Sequence, residues 1–477
     1  MKRRSMCLFA AVLSALLLAA ALGGCSFRPG SGSAAPVQNA DNPATPTPAP
    51  DKPLYTVTYR LDGAALASES VPEGECPTQV PAMAGDRGIV AWKNTNGTET
   101  NVWSAHIAAD TVFDAVTGPA LARTGGFFAA ESDGLFHPYN DFTRSDAVRA
   151  VYAFMAEKPT GETFLKDVTT RAKCYQAATT LVTQGYIRLD EGGHFFPDMA
   201  ITRTDLTALL SKLFSPGAVA RALENVPEPM NRGQAAQVFN ALLGITSAAE
   251  EPYFPDVAPT SEYYDAVRLS GQGGGSLTWG ESGRAGAGFM NLEGYLYYVG
   301  ADGYFICDGM VGTLYFDRNG RYTTGDESLD KYVADIVKAQ TTGVMSREDM
   351  LRTVYVYVRD HYLYLKRNLY EIGETGWEVK EALTMFETGK GNCYNFTGAF
   401  WALARGVGYD AVAYSGLVGV DRNPHSWVEI DIGGETYVFD VETEMQYRLQ
   451  DDYYTSMYQM TAERSKLWSY AKVPYND

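Results

Sequence analysis

The sequence predicts a multidomain chain in which small β modules and helical repeats precede a mixed α+β domain at the C-terminus. Three observations predict it. One segment recurs at fixed spacing; two aromatic runs each end at an Asp-Gly or Asn-Gly turn; and an apolar helix is followed by a short hairpin near the end of the chain. With 477 residues and 45% hydrophobic composition, the chain is long enough to bury several cores. Its net charge of −18 disfavours nucleic acid as a partner, because phosphate recognition needs concentrated Lys and Arg.

The N-terminus sets the compartment. Lys2, Arg3 and Arg4 precede an apolar run from Met6 to Leu22, closed by Leu22-Gly23-Gly24-Cys25, which reads as a secretory signal. Its end resembles the lipobox of bacterial lipoproteins. That resemblance implies a signal peptide over residues 1–25, a lipidated Cys25, and an extracytoplasmic chain held to the cell membrane by its lipid. Residues 26–53 are rich in Pro, Ala and Ser and read as an extended linker. Of six cysteines, the resemblance implies that Cys7 leaves with the signal and that Cys25 takes the lipid. Cys76, Cys174, Cys307 and Cys393 remain, too scattered for a zinc site or a disulfide framework, so no metal and no cofactor is expected.

In residues 54–119, Tyr55, Val57 and Tyr59 alternate with polar residues at the period of a half-buried strand. Trp92, Trp103 and Phe113 follow in short segments. The region resembles the small β-grasp modules of bacterial surface proteins, or is another small β module.

Within residues 120–270, Gly134, Phe136, Pro138, Thr143, Arg144 and Asp146 recur as Gly193, Phe195, Pro197, Thr202, Arg203 and Asp205, each 59 positions on. Self-similarity of this kind signals helical units that stack because none buries its apolar face alone. "FLKDV" and "GHFFPDMAITRTDL" resemble the S-layer homology motif. A degenerate copy ends in "MNRGQAAQVFNALLGI", and "YFPDVAPTSEYYDAV" resembles another beginning. The resemblance implies that Arg144 and Arg203 bind an acidic cell-wall polymer. The same Thr-Arg pairs read equally as helix caps with solvated charges.

Residues 285–325 hold the two aromatic runs, Gly294 to Gly303 and Gly312 to Gly320. They resemble the aromatic hairpins of choline-binding and related wall-binding proteins. Packing of Tyr297, Tyr298, Tyr315 and Phe316 and a sugar site are the two readings.

Residues 326–477 carry the chemistry. "SREDMLRTVYVYVRDHYLYL" predicts a helix starting near Ser346, with Leu351, Val354, Val356 and Val358 as apolar contacts; "WEVKEALTMFETG" predicts a second. In "GKGNCYNFTGAFWALARGVG", Gly389 to Asn392 deliver Cys393 to the first turn of a helix whose Phe396, Ala399, Phe400, Leu403 and Ala404 form one stripe. The positive end of a helix stabilises a thiolate and offers N–H groups to a developing oxyanion. "HSWVEIDIGGETYVFDVET" predicts a hairpin turning at Gly433-Gly434, which sets Val428 opposite Phe439 and Ile430 opposite Tyr437. Its other face then holds His425, Trp427, Asp440 and Glu442. Asp440 is expected opposite Trp427 and diagonal to His425, with Glu442 as a rival directly opposite His425.

A Cys at a helix start, a His entering a strand and a following carboxylate are the parts of a nucleophilic acyl-transfer site. Gly391-Asn-Cys393, His425-Ser-Trp427 and Tyr437-Val-Phe-Asp440 resemble the transglutaminase-like superfamily in type, order and spacing, over roughly residues 340–445. The resemblance implies a papain/transglutaminase-like α+β fold, with Cys393 as nucleophile, His425 as base and Asp440 as the orienting carboxylate. It implies a peptide or protein substrate, cleaved or cross-linked through a thioester. Tyr364 matches the aromatic that closes the first helix of this family, and Trp377 is the candidate side-chain oxyanion donor. Asp440-Val441-Glu442 stands where the family has Asp-Pro-Thr. The alternative outside enzymology is a wall-associated adaptor whose C-terminal domain only binds peptides.

Overall fold

The computed structural model describes residues 52–122, 126–247, 252–272 and 287–472. The signal peptide, Cys25 and all but the last two residues of the linker lie outside them. No helix among the described residues is long and apolar enough to cross a membrane.

The first module is a mixed sheet of β1 (Leu54–Leu61), β2 (Ala64–Pro72), β3 (Met83–Ala84), β4 (Arg87–Asn94) and β5 (Thr111–Ala120), ordered β2-β1-β5-β4-β3. β1 runs parallel to β5 at its centre. The alternation in β1 buries Val57 and Tyr59 against Trp92 and Phe113, as a period of two requires when one face is covered.

A short strand, β6 (Phe128–Ala129), leads into α1 (Arg144–Phe154), α2 (Tyr175–Thr183), α3 (Arg203–Leu210), α4 (Pro216–Ala222), α5 (Arg232–Leu243) and α6 (Tyr264–Ser270), and β7 (Gly271–Gln272) pairs back with β6. These six helices share one core, which no helix of 7 to 12 residues could build alone. The 59-residue spacing is visible in the backbone. Thr143 and Thr202 cap α1 and α3 in the same way, and His137 and Phe196 share a left-handed conformation. The carboxylate of Asp167 accepts from the Phe195 and Phe196 N–H groups, and Asp256 does the same for Phe136 and His137. The segment around Asp256, which in sequence looks like the start of a further copy, therefore completes the first copy and closes the array on itself.

β8 (Gly288–Leu292) with β9 (Tyr295–Val299), and β10 (Gly309–Val311) with β11 (Leu314–Phe316), form two hairpins. Their tight turns are at Glu293-Gly294 and Gly312-Thr313. The Asp302-Gly303 and Asn319-Gly320 turns lead only to single bridges, Val299 with Phe305 and Phe316 with Tyr322. Tyr297 and Phe316 are buried, Tyr298 is half-buried, and Tyr315 is exposed with its hydroxyl on Asp308.

The last module begins with α7 (Glu327–Gln340), capped by Asp326, which the sequence reading passed over. α8 (Arg347–His361), β12 (Leu363–Tyr364), α9 (Glu378–Thr388), β13 (Lys390–Gly391) and α10 (Cys393–Gly406) follow. A sheet of β14 (Ala411–Val418), β15 (Asn423–Ile432), β16 (Glu435–Phe439) and β17 (Ala471–Lys472), ordered β16-β15-β14-β17, covers α10. α11 (Val441–Leu449) and α12 (Ala462–Ser465) lie between its last two strands in sequence. The stripe predicted on α10 is fully buried. Val428 pairs with Phe439 and Ile430 with Tyr437, the register that Gly433-Gly434 predicts. The ladder stops at Phe439, however. Asp440 is not opposite Trp427 on a strand; its carboxylate accepts from the Thr443 N–H and caps α11, because a short acceptor at that point satisfies a free helix donor better than another strand pair would.

Candidate active site

Cys393 is the first residue of α10, and its neighbours fix it there. The Asn392 side chain accepts from Tyr394 N, and Asn395 reaches back to Asn392 N, a reciprocal cap. Gly391 is needed because a Cβ on it would sit 2.3 Å from the Asn395 side chain. Gly398 serves one turn later, where a Cβ would meet the Glu378 carbonyl of the adjoining helix at 2.8 Å. No acceptor among the described residues takes the Cys393 N–H, which leaves it open to an oxygen built on the sulfur's substrate.

β15 carries His425 to this helix end. Thr397 on α10 and Ser426 on β15 hydrogen-bond at 3.1 Å, both buried, which pins the strand beside the thiol. His425 Nε2 lies 2.8 Å from Asp440 Oδ2. A carboxylate only accepts, so Nε2 carries the proton and Nδ1 is left for the thiol. Burial alone would push the imidazole's pKa down; the charge and hydrogen bond of Asp440, and then the Cys393 thiol, hold it well above its ordinary value of 6.5.

Asp440 is saturated with donors. Oδ2 also accepts from Thr443 Oγ1 at 2.8 Å and Tyr470 OH at 2.6 Å, and Oδ1 from Thr443 N at 3.0 Å. Its full burial would raise its pKa, but His425, Tyr470 and Thr443 hold it below the usual aspartate value. Thr443 and Tyr470 were not singled out from the sequence. The Thr is three residues past the Asp, the spacing of a cap, and was open to detection; Tyr470 arrives from β17 by a long return that no local pattern announces.

The structure thus brings Cys393, His425 and Asp440 together, with 6%, 6% and 1% of their surfaces exposed. Glu442 lies in the first turn of α11, not opposite His425, and its recorded hydrogen bond is from Gln446 Nε2 at 2.8 Å. One of its oxygens, one of Asp440 and one ring nitrogen of His425 lie within 4.8 Å of one another. Such a trio has metal-ligand character, but Nε2 is already a donor to Asp440, and that oxygen is occupied by three donors, which suits proton transfer better than coordination. Trp377 is not a free oxyanion donor: its indole N–H donates to the Glu374 carbonyl at 2.8 Å, and its ring packs edge-on against Tyr394. Tyr364 follows α8 on β12, beside Gly391, and Glu442 and the Cys393 sulfur both add to burial in raising its phenol's pKa.

The guanidiniums of the helical repeats are held internally. Arg144 is buried and donates to the Phe195 and Arg188 carbonyls, each at 2.7 Å, and to Asp205. Arg203 donates to the Leu223 and Val226 carbonyls.

Residues 334–441 match the family model described as the transglutaminase-like superfamily. The matched stretch runs from within α7 to the first residue of α11 and contains Cys393, His425 and Asp440. No curated protein matches the chain.

Proposed function

From a transglutaminase-like domain at the C-terminus of a multidomain α+β chain, we propose an extracytoplasmic cysteine acyl-transfer enzyme that opens peptide or isopeptide bonds through a thioester on Cys393. One observation carries the reading: a buried thiol, on a residue whose own N–H meets no acceptor among the described residues, and an imidazole oriented by a saturated carboxylate converge on one point. In this reading His425 Nδ1 takes the thiol proton, sulfur attacks the carbonyl carbon, and the oxyanion is met by the Cys393 N–H. The imidazolium then gives its proton to the departing amine, and water completes the cycle as hydrolysis. Transfer to an amine, giving a cross-link, is the second outcome of the same intermediate. A lipidated Cys25 would tether the enzyme to the outer face of the cell membrane; wall-polymer contact through Arg144 and Arg203 is a companion proposal that requires their guanidiniums to exchange the protein acceptors that hold them.

The test is chemical. Iodoacetamide should alkylate Cys393 faster than Cys76, Cys174 or Cys307, and His425→Ala should suppress that difference. Cys76 is the demanding control because His106 Nδ1 lies 3.8 Å from its sulfur; that nitrogen donates to the Gly74 carbonyl at 2.8 Å and is no base. Burial pushes the Cys307 thiol up to about 12. The full chain incubated with peptidoglycan and with protein substrates, with and without amine donors, should release new termini by mass spectrometry. Equal, slow alkylation of all four thiols with no product would favour a peptide-binding adaptor. Loss of membrane fractionation on Cys25→Ala tests the tether.

A further inference from the structure

One turn beyond Asp440 stands a buried carboxylate that the proposed chemistry does not use. Glu444 is 1% exposed, and its N–H donates to the Asp440 carbonyl at 3.2 Å. Its two oxygens have different partners. Oε1 receives the guanidiniums of Arg359 at 2.6 Å and Arg448 at 3.1 Å, which compensate a charge whose burial is costly when unpaired. Oε2 receives the Met457 N–H at 2.7 Å, the Tyr355 hydroxyl at 2.9 Å and the Ser456 hydroxyl at 3.3 Å. Burial would raise the pKa of this carboxyl, but the Met457 N–H, Arg359, Tyr355 and Arg448 hold it below the ordinary glutamate value.

The partners of Oε2 are also the partners of Asp440. The β15–β16 ladder ends at Phe439, so the Asp440 N–H has no strand opposite it and donates to the Met457 carbonyl at 3.1 Å. The Asp440 carbonyl lies 3.2 Å from the Tyr355 hydroxyl. Among the described residues these are the two hydrogen bonds of the Asp440 main chain outside α11, and both lead to one oxygen of Glu444. Tyr355 shares a face of α8 with Arg359, four residues on, and its ring stands edge-on to Phe400 of α10, the helix that carries Cys393. Met457 is fully buried, so its N–H has no water to turn to if Glu444 is removed. To satisfy that donor the Ser456–Met457 segment must move, taking the Met457 carbonyl away from Asp440. Catalytic groups must be held within about 0.5 Å of their working places, and a shift of this kind exceeds that tolerance.

Resting on the acyl-transfer reading of Cys393, we propose that Glu444 is a positioning residue for the reaction: through Met457 and Tyr355 it fixes the main chain of Asp440, and with it the 2.8 Å contact between that carboxylate and His425. Among the described residues Glu444 makes no hydrogen bond to Cys393 or His425, so it acts through Asp440 alone. The arginines on Oε1 tie α11 to α8, and Oε2 passes that anchorage to the point where the chain leaves the sheet.

The test reads the pH dependence of Cys393 alkylation by iodoacetamide in the full chain. The titratable groups around the imidazole are Cys393, Asp440 and Glu442, with Tyr470 on Asp440. If Asp440 moves off, less imidazolium stands beside the sulfur, and the pH of half-maximal alkylation should rise by about one unit in Glu444→Ala, toward the profile of His425→Ala. Glu444→Gln, which keeps an acceptor oxygen for the Met457 N–H, should recover part of the shift. A glutamate that only stabilises the fold would lower the thermal midpoint and leave the pH profile of the folded chain in place, and that result overturns the proposal. Where Glu444→Ala does not fold, Tyr355→Phe decides. It loses only the hydroxyl and keeps its ring on Phe400, and its profile should move in the same direction by less; an unmoved profile overturns the proposal. Failure of the acyl-transfer reading looks different: the profile would still follow Glu444 while the wild type opens no amide.

Discussion

The arginines at the helix starts of the repeats, Arg144 and Arg232 buried and Arg203 half-buried, and the buried polar groups at the start of α10 and α11 are finished in opposite ways. Arg144 joins the first repeat to Phe195 and Asp205 of the second, and Arg203 joins the second to the segment entering the third. Arg232 returns from the third to the Phe136 carbonyl at 2.9 Å and Asp146 at 2.6 Å in the first. Every guanidinium has its acceptors inside the molecule, so these motif residues hold a ring of short helices together. In the C-terminal domain the set is left open: among the described residues no acceptor takes the Cys393 N–H, and Glu442 has the neutral Gln446 amide in place of a Lys or Arg. A buried motif residue satisfied by its own fold is accounted for by stability, whereas a buried polar group left short is where contact with a ligand is to be tested.

The largest expected effect is on the open side. Asp440→Asn keeps the helix cap, since an amide oxygen still accepts from Thr443, but it can present an N–H to His425 and reverse the tautomer. Turnover should fall on the order of 10³- to 10⁴-fold in a chain that still folds. Glu442→Gln should lower turnover less. If the two effects were exchanged, the orienting role would pass to Glu442 and the 2.8 Å contact from His425 to Asp440 would be incidental.

The closed side should respond in the opposite currency. Arg232→Met leaves the Asp146 and Glu131 carboxylates without their guanidinium, which lies 2.6 and 2.8 Å away. Removing one partner of a buried pair costs about 3–5 kcal/mol, so denaturant unfolding of the repeat module should move to lower concentration. The Cys393 alkylation rate under native conditions should stay unchanged. Arg144→Met and Arg203→Met sharpen the contrast: retention on wall polymer lost at unchanged stability would show that these side chains also face a ligand.

How much of this was legible follows from where the information lies. The repeat, the α10 stripe and the β15–β16 register are local patterns of period 59, 3.6 and 2, and the chain folds as they read. Asp440 was placed beside His425, but on the wrong element, because strand parity runs on in the sequence while a helix cap interrupts it in space. Closure of the repeats by Asp256 and completion of the Asp440 shell by Tyr470 depend on contacts across 119 and 30 positions, and no local period encodes them. Glu442 was visible only as a rival orienter; that it lacks a cation needed the positions of Arg359 and Arg448 to become apparent.

The smallest expected effect concerns Tyr470, whose hydroxyl is one of four donors on Asp440. Tyr470→Phe removes a bond to a charged acceptor, worth about 1.5–3 kcal/mol, while leaving the ring against Trp427. Asp440's carboxyl is held below its ordinary value of 3.8, so its stabilisation is fully present above that value and is lost as pH falls through the lower, folded one. His425 is held above 6.5, so its contribution is complete below 6.5 and is lost as pH rises through the folded value. The C-terminal domain should therefore gain most from this pair between those two ordinary values. Without Tyr470 the folded Asp440 binds its proton more readily, which narrows its separation from the unfolded value. Acid unfolding of Tyr470→Phe, followed by tryptophan fluorescence, should start at higher pH than in the wild type, and the difference between the two should shrink toward the most acidic conditions, where both carboxyls are protonated. A difference that persisted undiminished at low pH would place the role of Tyr470 in packing against Trp427 and leave Asp440 to be held by His425 and Thr443 alone.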